Sequence, residues 1–209
     1  MINYETDDER AEAIKKWWKE NGLSVLVGIG IGLGTIFGWR IWTDYRETVG
    51  QQASAAFEHL LVSADTGLTE STLAQVRLLR EEFSGTTYAT LASLAQARVE
   101  LKTGNHAGSR AALEQAIAES PDPGMTRIAA LRLVRVLIAE GDLEQATDLT
   151  AKHDDGGAFG GAFAVLRGDI AAARGRTTDA RAAYEQALAA GAPNPDQVRM
   201  KLDNLPPAG

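Results

Sequence analysis

Apolar and polar positions divide this chain into two unlike parts. Between Glu20 and Arg40 there are nineteen consecutive residues without a charge. At a rise of about 1.5 Å each, a helix of that length reaches roughly 28 Å, close to the ~30 Å of a bilayer's hydrocarbon core. From about Val49 onward the pattern changes. Apolar residues recur at helical spacing in an alanine-rich background, and no run alternates as a strand would. Punctuation comes at Asp65-Thr66-Gly67, at Ser84-Gly85, and then at Gly104, Gly141 and Gly175, spaced 37 and 34 residues apart. Thr69 is placed to cap the helix after the first break, with Leu68 and Leu73 as a hydrophobic staple.

The last three glycines set a common register. Five residues after them stand Ser109, Ala146 and Ala180, and nine after stand Leu113, Thr150 and Tyr184. Twelve after stand Ala116, His153 and Ala187, and seven before stand Ala97, Val134 and Gly168. Small residues let two antiparallel helices cross closely, and larger ones fill the gap to the next pair. Pro121 and Pro193 fall just past the second helices. A period of about 34 residues is that of tetratricopeptide-like helical pairs. The middle unit is expected to fray after Leu149. The alternative is a non-repeating helical bundle. The fold class predicted is all-α: one transmembrane helix followed by a tetratricopeptide-like solenoid.

Aromatic residues sharpen the reading of the first part. All four tryptophans lie there, Trp17 and Trp18 at one end of the apolar run, Trp39 and Trp42 at the other, with Tyr45 beyond. Trp and Tyr favour the two membrane interfaces, so these residues are predicted interfacial anchors. A cleaved signal peptide does not fit, because bulky residues follow the run where a small-x-small site would be needed. Arg10, Lys15, Lys16 and Lys19 precede the span, against Arg40 and Arg46 after it. That bias places the N-terminus inside and the later residues outside the cytoplasm. Residues 1–20 are expected to form a cytoplasmic amphipathic segment on the membrane surface, opened by a capping box at Thr6-Asp7-Asp8-Glu9. Residues 21–42 form the span, and 43–209 the exported domain. Within the span Gly28, Gly30, Gly32, Gly34 and Gly38 make overlapping Gly-x-x-x-Gly spacings, which either pack against another membrane helix or reflect how common glycine is in such helices.

Composition narrows the chemistry. The 209 residues carry a net charge of −7 and no cysteine, which excludes disulfides, thiolate metal sites and a cysteine nucleophile. Residues 41–209 hold 16 basic and 22 acidic residues, a net −6. An acidic surface argues against nucleic acid as a partner. The mean hydropathy of −0.17 averages an apolar anchor with a polar domain. His59, His106 and His153 lack metal-ligand spacing, and Asp154-Asp155-Gly156 is not a calcium loop. No phosphate loop or serine elbow occurs. The expectation is a protein that is not an enzyme, without cofactor, metal or small-molecule substrate. Its groove between helical pairs suits a peptide.

Lys15-Lys16-Trp17-Trp18-Lys19-Glu20-Asn21-Gly22, Gly38-Trp39-Arg40-Ile41-Trp42, Leu166-Arg167-Gly168-Asp169 and Met200-Lys201-Leu202-Asp203 stand in this order along the chain. With them the chain resembles the bacterial YfgM-like family of ancillary Sec translocon subunits. The resemblance implies a single-pass inner-membrane protein with a periplasmic tetratricopeptide-like domain. It implies association with the SecYEG channel and with a membrane-anchored periplasmic chaperone of the parvulin type, and brings no catalytic residues. The alternative reading is an envelope-complex assembly adaptor or stress-response regulator of the same architecture.

Overall fold

The computed structural model describes residues 7–65 and 69–207. The capping box at Thr6 and the turn at Thr66, Gly67 and Leu68 lie outside the described residues. Two compact units divide at Gln51 and Gln52. The first helix, α1 (Asp7–Asp65), contains residues 7–20 of the expected surface segment and the expected span as consecutive stretches. Its first part makes up the described portion of the first unit, and its last turns, from Gln52, belong to the second.

The second unit continues with α2 (Thr69–Glu82), α3 (Thr87–Lys102) and α4 (His106–Glu119), then α5 (Pro123–Glu140) and α6 (Leu143–His153). It ends with α7 (Gly160–Ala173), α8 (Thr177–Ala189) and α9 (Pro195–Asp203). The chain is all-helical, with three short-looped pairs α3/α4, α5/α6 and α7/α8. Thr69 is the first residue of α2, and its side chain, with the expected cap and staple, lies outside the described residues. The middle pair does not fray at Leu149, since α6 runs to His153. Thr150 holds that last turn: its side chain is buried and its hydroxyl donates to the Ala146 carbonyl at 2.7 Å.

The turn glycines act through the backbone. Gly141 has φ +80°, a left-handed conformation that side chains disfavour. That bend lets the next N–H, from Asp142, donate to the Leu137 carbonyl at 2.9 Å, closing the end of α5. The same six-to-one bond joins Asn105 to Glu100 and Arg176 to Ala171. Asn105 and Asp142 then cap the following helix, their side-chain oxygens accepting from Gly108 and Gln145. In the third pair Arg176 occupies this place and makes no side-chain cap.

Packing follows the register. Ser109, Ala146 and Ala180 are buried at the crossings, as are Ala97, Val134, Leu113 and Tyr184. The main core gathers Leu113, Val134, Leu137, Phe163 and Leu166 from α4, α5 and α7. A second cluster joins the end of α1 to α2 and α3 through Leu60, Val76, Leu79 and Ala92. A third closes the C-terminal end around Tyr184, Ala187 and Val198.

The Leu166-Arg167-Gly168-Asp169 stretch builds that closure. Gly168 leaves room for Tyr184, since a Cβ there would stand 2.3 Å from the ring. The Tyr184 hydroxyl donates to Asp169 Oδ1 at 2.7 Å, and Lys201 Nζ of α9 donates to the same carboxylate at 2.5 and 2.7 Å. Burial, then the Asp169 carboxylate, pushes the phenol pKa well above its ordinary value. Leu166 is buried, and Arg167 pairs with Asp154. The motif is therefore an architectural joint between α7, α8 and α9.

Two outcomes are expected. Gly168→Val forces the Tyr184 ring off its anchor and lowers stability by about 1–3 kcal/mol, read as a lower thermal midpoint; an unchanged midpoint would show that the ring swings away freely. The second concerns His153. Its Nε2 is buried without a hydrogen bond. Burial, then Lys152 and Arg127, hold its pKa below 6.5. The unfolded chain takes up this proton more readily, so stability is complete above pH 6.5 and declines as pH falls from there through the lower folded value. Thermal melts of His153→Gln across that window should have a shallower pH slope than the parent.

Candidate functional site

No three His, Cys, Asp or Glu side chains converge as a metal site among the described residues. What the chain presents is surface, of two kinds.

The first is the apolar stretch of α1. It is long and apolar enough to cross a membrane. Apart from the half-buried Val25, its aliphatic side chains are bare, from 50% exposed at Leu33 to 78% at Leu23. Nineteen uncharged residues in a row cannot face water at that exposure without a large hydrophobic cost, so the stretch matches an apolar medium. Trp17 and Trp18 stand with ring centroids 6.4 Å apart at one end, Trp39 and Trp42 at 5.2 Å at the other. The Arg46 guanidinium lies 4.9 Å from the Trp42 ring centroid, a cation–π contact. Gly28, Gly30, Gly32, Gly34 and Gly38 all border open space, with nothing within 4 Å of an added Cβ. Gly22 differs: the Trp18 ring covers it at 3.3 Å.

The second lies on the helical pairs. A cavity of about 480 Å³ is floored by Leu94, Leu101, Leu113 and Val136. Arg98 of α3 and Arg132 and Arg135 of α5 stand on its walls. A smaller cavity of about 200 Å³ continues from it toward the end of α1, sharing Leu94, Arg98 and Arg132 and adding Leu61, Leu91, Lys102 and Asp65. Together they form one trough lined by α1, α3, α4 and α5. The three arginines are exposed and make no ion pair or hydrogen bond among the described residues. Partial burial, then the charges of Arg135 and Arg98, hold the Arg132 guanidinium below its ordinary pKa. Two arginines outside the trough are paired with acids. Arg110 sits beside Glu114, Glu140 and Asp142, and Arg127 beside Asp155.

The sequence reading expected a groove without naming its residues. One signal was available: Arg98, Arg132 and Arg135 have no acidic residue three or four positions away on their own helices. That they meet over one apolar floor is decided by the stacking of α3 and α5 against α4.

The chain matches the tetratricopeptide repeat-like domain family over residues 15–207. It is 33% identical over 200 residues to a Haemophilus influenzae protein named "Ancillary SecYEG translocon subunit", covering 95% of this chain and 97% of that one. An Escherichia coli K12 protein of the same name is 29% identical over 210 residues, covering 98% and 99%. One from Aggregatibacter actinomycetemcomitans is 30% identical over 200 residues, covering 95% and 97%. No solved structure matches the chain. A bare apolar helix, three glycine-turned helical pairs and likeness along nearly the whole length agree, and the chain belongs to the tetratricopeptide repeat-like family of ancillary SecYEG translocon subunits.

Proposed function

We propose that the protein is a membrane-anchored, non-catalytic scaffold of the Sec translocon, linking the channel to a periplasmic chaperone by protein–protein contacts. The observation that carries this reading is a bare, glycine-faced apolar helix in a chain similar, almost end to end, to proteins named as translocon subunits. Residues 1–20 lie in the cytoplasm, 21–42 cross the inner membrane, and 43–209 fold in the periplasm. The four tryptophans hold the span at the two interfaces. Gly28, Gly30, Gly32, Gly34 and Gly38 let a neighbouring transmembrane helix come close, where dispersion contacts replace those with lipid. A parvulin-type chaperone anchored in the same membrane is the partner that the resemblance implies. The reaction chemistry of secretion stays with those partners; this chain supplies proximity, which raises the effective concentration of one at the other.

Full-length protein purified in mild detergent is expected to bring down channel subunits and a periplasmic chaperone; recovery of neither sinks the reading. Replacing Gly32 and Gly34 with isoleucine should weaken channel recovery while the thermal midpoint stays, because neither new side chain meets another part of the chain. Undiminished recovery would make the glycine face incidental. In spheroplasts, external protease should degrade residues beyond 43, and protection of that domain would reverse the topology.

A further inference from the structure

We propose that the trough lined by α1, α3, α4 and α5 is a docking site for a protein segment whose carboxylates flank aliphatic side chains. This deepens the scaffold reading and rests on it in taking the occupant to be a protein.

Both halves of that chemistry come from the trough. Its floor of Leu94, Leu101, Leu113 and Val136 offers apolar area to an aliphatic side chain. Its walls carry Arg98, Arg132 and Arg135, with Lys102 beside them. Guanidinium forks match carboxylates in shape and charge, and these three have no acid of their own. Asp65 is the one carboxylate among the lining residues, and it sits at the far end of the trough. The concentration of cations is not an average property, since residues 41–209 carry a net −6. A membrane of anionic lipid or a nucleic acid meets that whole negative surface. A short segment meets only the local field, because charges farther than about 8 Å are screened at physiological salt.

The probe is a fluorescein-labelled decapeptide of alternating Glu and Leu, titrated with the full-length chain in zwitterionic detergent micelles and followed by anisotropy. It is expected to bind, more weakly as salt rises. Exchanging its Glu for Gln, or its Leu for Ser, should weaken binding about tenfold or more, the loss expected for a charge-assisted hydrogen bond or a buried aliphatic side chain. Arg132→Glu combined with Arg135→Glu should do the same, and Arg199→Glu, outside the trough, should not. If the charge reversal disturbs the circular dichroism spectrum, Arg132→Gln with Arg135→Gln provides the equivalent comparison. Absence of binding by the parent chain, equal binding of all three peptides, or indifference to the arginine changes each overturns the site. So does arginine-dependent capture of phosphatidylglycerol vesicles without peptide binding, which would make the occupant a lipid. The scaffold reading fails separately: translocon recovery lost with peptide binding intact removes that reading and leaves the trough, and the reverse result removes the trough alone.

Discussion

The helical-pair part of this molecule depends on how closely two antiparallel helices can approach after each turn glycine. The constraint is volume. Seven residues before the glycine and nine after it, the sequence carries Ala97 with Leu113, Val134 with Thr150, and Gly168 with Tyr184, all buried. As the first member shrinks to glycine, the second grows to an aromatic ring. Interiors are packed like organic crystals, so the pair sum matters more than either residue. Where the sum is met by Gly168 and Tyr184, the ring also carries a hydroxyl that needs a partner, and Asp169 and Lys201 close around it.

That closure explains a difference among the pairs. The third lacks the side-chain cap that Asn105 and Asp142 give the first two. Its second helix is held by a buried ring and a charge-assisted network instead. α9 is part of the same joint, because Lys201 reaches back to Asp169 across 32 positions. A solenoid needs a terminal element that ends stacking, and a short helix tied by one shared carboxylate serves.

The two surfaces left over are of opposite kinds. The apolar stretch of α1 has no use in water and becomes intelligible only with a medium that matches it. The trough has the reverse problem, since its arginines are soluble as they stand but uncompensated over an apolar floor. Each is incomplete in isolation, one for shape and the other for charge.

Local chemistry made much of this legible from the sequence. The uncharged run between Glu20 and Arg40, the flanking tryptophans and the glycine register needed only helix geometry and residue size. The continuity of α1 from Asp7 to Asp65 was less legible, because nothing local marks where an exposed helix continues and where it stops. Leu166-Arg167-Gly168-Asp169 and Met200-Lys201-Leu202-Asp203 could be singled out as specific, but not as the two sides of one joint. The binding residues escaped altogether. Arg98 and Arg132 are 34 positions apart, and each alone reads as a solvated surface residue. The sequence by itself determined helices, turns and the membrane-compatible span, because those follow from neighbours within a few residues. Only the tertiary structure decided which cations share a floor, because charge and apolar area from separate helices meet only once the pairs have stacked.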